Sequence, residues 1–232
     1  MLKSFERSEN VVRSPSSATT SSNAVGTLQN ASQKSSNAAE CPPRWVAALQ
    51  KELTYKTYPH NPPHLFLSDC KYFITAATFN KVRWFQQPEA KLHLLSSIQK
   101  GFGDFNWTLE DWVILDNHYH LMLQSPENPL DLPEIIREIH RFTAIWVKKN
   151  VAAAKQTGQI WHNYWDKCLT FEKAYFARVN YIWYNPVKHG YVEDAAKWEF
   201  GSYAERISAD EDYCKRFQAT YPCDRVKEKD DF

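Results

Sequence analysis

Trp107-Thr-Leu-Glu-Asp-Trp-Val-Ile-Leu115-Asp116-Asn117-His118-Tyr119-His120-Leu121-Met122-Leu123-Gln124 is the stretch that decides the architecture of this chain. Two apolar segments rich in aromatic and branched residues flank Asp116-Asn117, both turn formers, so the stretch predicts a β-hairpin. Alternate residues of a strand share a face. His118 and His120 therefore project one way, and Tyr119 and Leu121 the other.

Working outward, Tyr72-Phe-Ile-Thr-Ala-Ala-Thr-Phe79 reads as a strand ending near Asn80. Pro88 opens a helix that carries Leu92, Leu95, Ser96 and Gln99, and Gly101 and Gly103 are expected to stop it. Beyond the hairpin, Asp131 is placed to N-cap a helix with Ile135, Ile136, Ile139, Phe142, Ile145 and Trp146 at three-and-four spacing. A Trp-rich stretch from Trp161 to Thr170 precedes a further helix from about Phe171 to Tyr184, with Asn185-Pro186 expected to end it. The order is strand, helix, strand pair, helix, short segment, helix. It predicts an α+β fold with helices covering one face of a mainly antiparallel sheet.

Composition bounds the rest. The 232 residues are 43% hydrophobic and 15% aromatic with six glycines, which excludes collagen-like and wholly disordered chains. The Ser- and Asn-rich residues 1–40 are expected to be disordered, residues 41–206 to form the domain, and residues 207–232 to be a polar tail. Five scattered cysteines contain no Cys-x-x-Cys, so a zinc ribbon is not indicated and a reducing cytoplasm is the expected location. No apolar run reaches the length that spans a bilayer. The net charge of +1 argues against a uniformly basic nucleic-acid binder. That neutrality is a cancellation: residues 69–131 hold 5 basic and 8 acidic side chains, a balance of −3, and residues 132–190 hold 9 and 4, a balance of +5.

Two constellations carry chemistry. Imidazoles at i and i+2 of one strand offer two nitrogen ligands on a rigid face, the beginning of a metal site, although the same spacing also fits ordinary strand histidines. In Asn180-Tyr181-Ile182-Trp183-Tyr184-Asn185-Pro186-Val187-Lys188-His189-Gly190, Tyr181 and Asn185 share a helix face, so a phenol and an amide oxygen address one point. Alone, that segment also fits a core helix closed by Asn-Pro. A phenol needs a nearby cation or base to become a nucleophile, and Lys188 and a bound metal are the available cations.

Taken in order, Tyr72-Phe-Ile-Thr, the Asn-His-Tyr-His hairpin, Trp161 with Tyr164-Trp165-Asp166, and Tyr-Ile-x-x-Asn-Pro-Val-Lys-His-Gly resemble the single-tyrosine HUH transposases, most closely the REP-associated tyrosine transposases. The resemblance covers residues 70 to 204, and the tyrosine motif is its specific part. It implies a ferredoxin-like antiparallel sheet with flanking helices, the HUH fold. It further implies that His118, His120 and Asn185 hold a divalent metal, Mg²⁺ or Mn²⁺, and that Tyr181 is the catalytic nucleophile. The implied substrate is single-stranded, hairpin-forming DNA, cut through a 5′-phosphotyrosine. A monomer is preferred to a homodimer. Relatives commonly carry Met-Pro-Asn before the first histidine where this chain has Leu115-Asp116-Asn117, which adds an acidic charge near the metal.

Arg137, Arg141, Lys148 and Lys149 on the helix after the hairpin, with Lys188 and His189 after the tyrosine, are the candidate DNA contacts, although charges on an outer helix face are more often simply solvated. His140 and His162 are read as structural. A replication or conjugation nickase, a hairpin-binding protein that no longer cuts, and a small metal-binding module remain as alternative readings.

Overall fold

The computed structural model describes residues 54–56 and 64–228. The expected disordered extension over residues 1–40 lies outside them. Among the described residues six strands and five α-helices follow in order: β1 (Thr54–Lys56), β2 (His64–Phe66), β3 (Lys71–Ala77), α1 (Pro88–Asp104), β4 (Thr108–Ile114), β5 (His118–Gln124), α2 (Leu132–Asn150), β6 (Trp165–Leu169), α3 (Glu172–Lys188), α4 (Tyr203–Ala209) and α5 (Glu211–Thr220). Strands β1 and β2 pair as a short antiparallel ribbon.

The main sheet has the order β4-β5-β3-β6 with every pairing antiparallel. With α1 between β3 and β4, and α2 between β5 and β6, this is the ferredoxin-like β-α-β-β-α-β arrangement. β5 and β3 are central, and six of the seven β5 residues are buried. Its hydrophobic alternation is therefore read on two faces. Tyr119, Leu121 and Leu123 pack with α1 and α2 through Leu94, Ile98, Ile135 and Ile139. On the other face Phe73, Val113 and Met122 pack with Val179, Ile182 and Trp183 of α3. Helices thus cover both faces, where the sequence pointed to one.

Each departure in helix length has a local cause. Gly101 and Gly103 do not stop α1. A Cβ on Gly101 would lie 3.1 Å from the Ile139 side chain, so this glycine lets α1 and α2 approach closely. The helix ends at Asp104, and just beyond it the φ of 61° at Asn106 and the bonds Asn106 N–H to Gly103 O and Trp107 N–H to Phe102 O close a Schellman turn. Asp131 does not cap α2 with its side chain; its carboxylate accepts a hydrogen bond from Trp107 Nε1 at 3.0 Å and ties the helix start to the sheet.

Asn185-Pro186 likewise does not end α3, which continues to Lys188 with Pro186 inside it. Proline in a helix gives up one backbone bond, and the second Schellman turn offsets the loss. There Gly190 at φ 69° donates to Val187 O and Tyr191 donates to Pro186 O. Residues 207–228, expected as a polar tail, complete α4 and form α5 and the turns after it. The expected boundary falls inside α4, and α5 buries Cys214 and Phe217 against Trp183 and Phe176 of α3.

Candidate active site

Strand β5 presents His118 and His120 toward α3, and both are buried. Their ring centroids lie 5.2 Å apart. Each imidazole is held through its Nδ1: His118 Nδ1 is 2.8 Å from Asn117 Oδ1, and His120 Nδ1 is 2.9 Å from Thr75 Oγ1. Thr75 reaches His120 because β3 and β5 pair these two residues directly. A hydrogen bond at Nδ1 fixes the orientation of each ring, as such partners do for metal-binding histidines, and His118 Nε2 faces α3.

Helix α3 brings the other half. Asn185 is fully buried, and its Oδ1 lies 3.2 Å from His118 Nε2. One turn earlier, the ring of Tyr181 stands edge-on to His120 at 5.3 Å and to Phe73 at 6.3 Å. Lys188 reaches back along the same helix face, and its ammonium donates to the Tyr181 phenol oxygen at 2.8 Å. His189 closes this end, its ring 4.8 Å from that of His118. Two nitrogens and an amide oxygen, a phenol and a cation thus converge from one strand and one helix of a single chain.

The electrostatics suit neutral imidazole ligands. Burial, reinforced by the charges of His189 and Lys188, holds His120 well below the ordinary histidine range, so its ring keeps a lone pair. Among the described residues no cluster of three His, Cys, Asp or Glu side chains gathers. A cation here would rest on the two histidines and the Asn185 amide, a mixed nitrogen and oxygen set that fits a divalent ion of borderline hardness. Asp116 does not stand as a bare charge beside this set, because Lys91 of α1 pairs with it at 2.8 Å in a largely buried ion pair.

Of the expected DNA contacts, Lys188 and His189 border the site. The four on α2 do not: that helix packs on the opposite face of the sheet. Arg137 pairs with Glu134, Arg141 binds Glu138 at 2.6 Å, and Lys148 donates to Gly158 O at 3.1 Å. Arg137, Arg141 and Lys148 are therefore engaged on or beside their own helix. His140 is structural as expected, stacked on Trp161 at 4.4 Å and hydrogen-bonded to the Tyr119 hydroxyl at 3.0 Å.

Sequence reasoning missed the loop from Phe79 to Trp84. Lys81 and Arg83 are exposed there. Asn117 donates to Lys81 O, and the Arg83 guanidinium lies 5.8 Å from the ring of Tyr191, just beyond α3. The cations of this loop thus border the end of the sheet that holds His118. The alternation of Lys, Arg and aromatic residues over Phe79-Asn80-Lys81-Val82-Arg83-Trp84 was the available signal.

Comparison with known proteins agrees with this architecture. The family model described as "Transposase IS200 like" matches residues 66–185, just over half of the chain, and spans His118, His120, Tyr181 and Asn185. The REP-associated tyrosine transposase of Escherichia coli K12 is 29% identical over 140 residues, covering 60% of this chain and 74% of that protein. A relative of the same description from Haemophilus influenzae is 32% identical over 138 residues, covering 53% of this chain and 78% of its own length. A solved structure of a REP-associated tyrosine transposase bound to a REP hairpin superimposes with a TM-score of 0.52 at 24% identity, over 76% of this chain and 94% of that one. At that identity the superposition speaks for the shared fold. Family model, relatives and fold converge, and the chain belongs to the IS200-like transposase family, in its REP-associated tyrosine branch.

Proposed function

We propose that this transposase cuts and rejoins single-stranded, hairpin-forming DNA by attack of Tyr181 on a phosphodiester. The observation that carries the reading is the placement of the Tyr181 phenol between the His118/His120 pair and the Lys188 ammonium. A relative of the same fold holds a hairpin, which supports that substrate class.

In this reading the phenol oxygen forms a bond to phosphorus, the bond to the 3′ oxygen breaks, and that oxygen leaves with a proton as a free 3′-OH. The product is a 5′-phosphotyrosine, and reversal by another 3′-OH rejoins the strand without an external energy source. Lys188 stabilises negative charge on the phenol oxygen as its proton departs, and the same ammonium meets the incoming phosphate. His118, His120 and Asn185 are the residues that would hold a divalent metal, which supplies Lewis-acid polarisation of the phosphate. Thr75 and Asn117 fix the two imidazoles so that little reorganisation is needed when the site fills. Nucleophile and ligands belong to one chain, so a monomer suffices.

The test is incubation with single-stranded hairpins in Mn²⁺, followed by denaturing electrophoresis. A protein–DNA adduct that resists denaturation is expected from the native chain. Tight hairpin binding with no adduct under any divalent metal would instead indicate a binding protein that does not cut.

A further inference from the structure

Three aromatic rings outside the chemistry just described lie nearly parallel in a pile. His162 stacks on Trp165 at 5.4 Å with an interplanar angle of 5°, and Phe79 stacks on His162 at 6.3 Å and 10°. The sheet fixes where this pile stands. Trp165 of β6 pairs directly with Thr75 of β3, so the two side chains leave the sheet on the same face. Thr75 is the residue that holds His120. Phe79 follows Thr78, whose amide donates to Asn117 O, and Phe79 itself donates to Ile160 O. The pile therefore begins two strands away from the metal-ligand pair, with β3 between, and runs outward along the end of the sheet that carries His118.

Its outermost ring is exposed. Phe79 has 37% of its surface in solvent, an unusual position for a phenylalanine that the core does not need. The same loop carries the exposed cations Lys81 and Arg83. Its backbone is held in an uncommon form, with Asn80 at φ 55° and Lys81 at φ 57° in succession. Two non-glycine residues in the left-handed region require support, and here Asn117 donates to Lys81 O and the Thr78 hydroxyl donates to Val82 O at 2.7 Å.

From this geometry we infer that Phe79, backed by His162 and Trp165, is a base-stacking platform for single-stranded DNA, and that Lys81 and Arg83 hold the phosphates of the same segment as it leads to His118 and His120. Aromatic faces accept any base, and interleaved cations follow the backbone, which together make a sequence-tolerant strand path. The rings beneath Phe79 fix its plane in advance, so little freedom is lost when a base lands on it. The inference rests on the reading of the chain as an enzyme of single-stranded DNA, and it adds where the strand runs.

The experiment measures binding of the full chain to an all-thymine single-stranded oligonucleotide, intact or with one abasic residue moved along it. Phe79→Ala is expected to weaken binding of the intact strand about tenfold with an unchanged salt slope, and Phe79→Trp to retain it. One abasic position should weaken the native protein and leave Phe79→Ala unaffected, since both changes remove the same contact. Lys81→Ala and Arg83→Ala are each expected to reduce the salt slope by about one. Equal binding of the intact strand by Phe79→Ala and the native chain, with no abasic position sensed, overturns the platform while leaving the DNA reading in place. A native chain that binds no single-stranded DNA overturns both. Thermal unfolding of each variant accompanies the titration, and a tenfold loss seen only where the variant has unfolded also counts against the platform.

Discussion

Lys188 donates a 2.8 Å hydrogen bond to the phenol oxygen of Tyr181, seven residues earlier on the same helix. Two turns of α3 place them on one face, and the helix reaches Lys188 because it continues through Pro186. Replacing Lys188 by Met removes the cation and keeps most of the stem. A hydrogen bond to a charged group contributes about 1.5–3 kcal/mol, so strand cleavage is expected to slow about 10- to 100-fold with little change in hairpin affinity. Single-turnover cleavage and a hairpin titration check both effects, and an unchanged cleavage rate would remove Lys188 from the chemistry.

Metal choice follows from the donor set. Two imidazoles and one amide oxygen bind Mn²⁺ better than Mg²⁺, which prefers oxygen and retains its water. Cleavage at matched metal concentration should be faster in Mn²⁺. Asn185→Ala should raise the Mn²⁺ concentration needed for half-maximal cleavage, read from a metal titration. Equal or slower cleavage in Mn²⁺ would count against this ligand set.

How far these relationships are visible before folding depends on whether they lie on one element. His118 and His120, and Tyr181, Asn185 and Lys188, are spaced by the period of a single strand or a single helix, and that period alone aligns them. What joins the two groups is register. The pairing of Thr75 with both His120 and Trp165, and the return of Phe79 beside His162, depend on strands far apart in the chain. The stops at Gly101 and at Asn185-Pro186 were misplaced for a different reason. Glycine and proline disfavour a helix locally, but packing of α1 on α2 and the Gly190 turn decide the outcome.

His140 makes the fold sensitive to acid. Burial against Trp161 lowers its pKa from 6.5 to about 3, so the folded chain keeps it neutral while the unfolded chain takes up a proton. Between those two values the unfolded state binds more protons, and stability falls as pH falls. The contribution is about 1.4 kcal/mol per pH unit across that window. Denaturant unfolding at several pH values should show a shallower acid loss for His140→Phe, which also gives up the Tyr119 hydrogen bond at a cost of about 1 kcal/mol. Parallel slopes would contradict this account.

Asp111 and Arg206 hold the C-terminal helices to the sheet. The buried carboxylate receives Arg206 through both oxygens at 2.9 Å, together with Trp183 Nε1 and the Ser202 hydroxyl. Burial still pushes Asp111 above the usual carboxylate range, against the pull of Trp183 and Arg206. Arg206→Met leaves the charge without its main counterion and should cost about 1–3 kcal/mol at neutral pH. The loss should shrink on acidification, because a protonated Asp111 no longer needs the guanidinium. Unfolding curves at pH values above and below the carboxylate range check the sign.

In the proposed reaction Tyr181 becomes covalently joined to DNA. Mass measurement of tryptic peptides after reaction of the native chain with a single-stranded hairpin in Mn²⁺ tests it most directly. A nucleotide adduct is expected on the peptide containing Tyr181, absent in Tyr181→Phe and retained in Tyr184→Phe and Tyr175→Phe. An adduct on another residue, or one that survives in Tyr181→Phe, would contradict it.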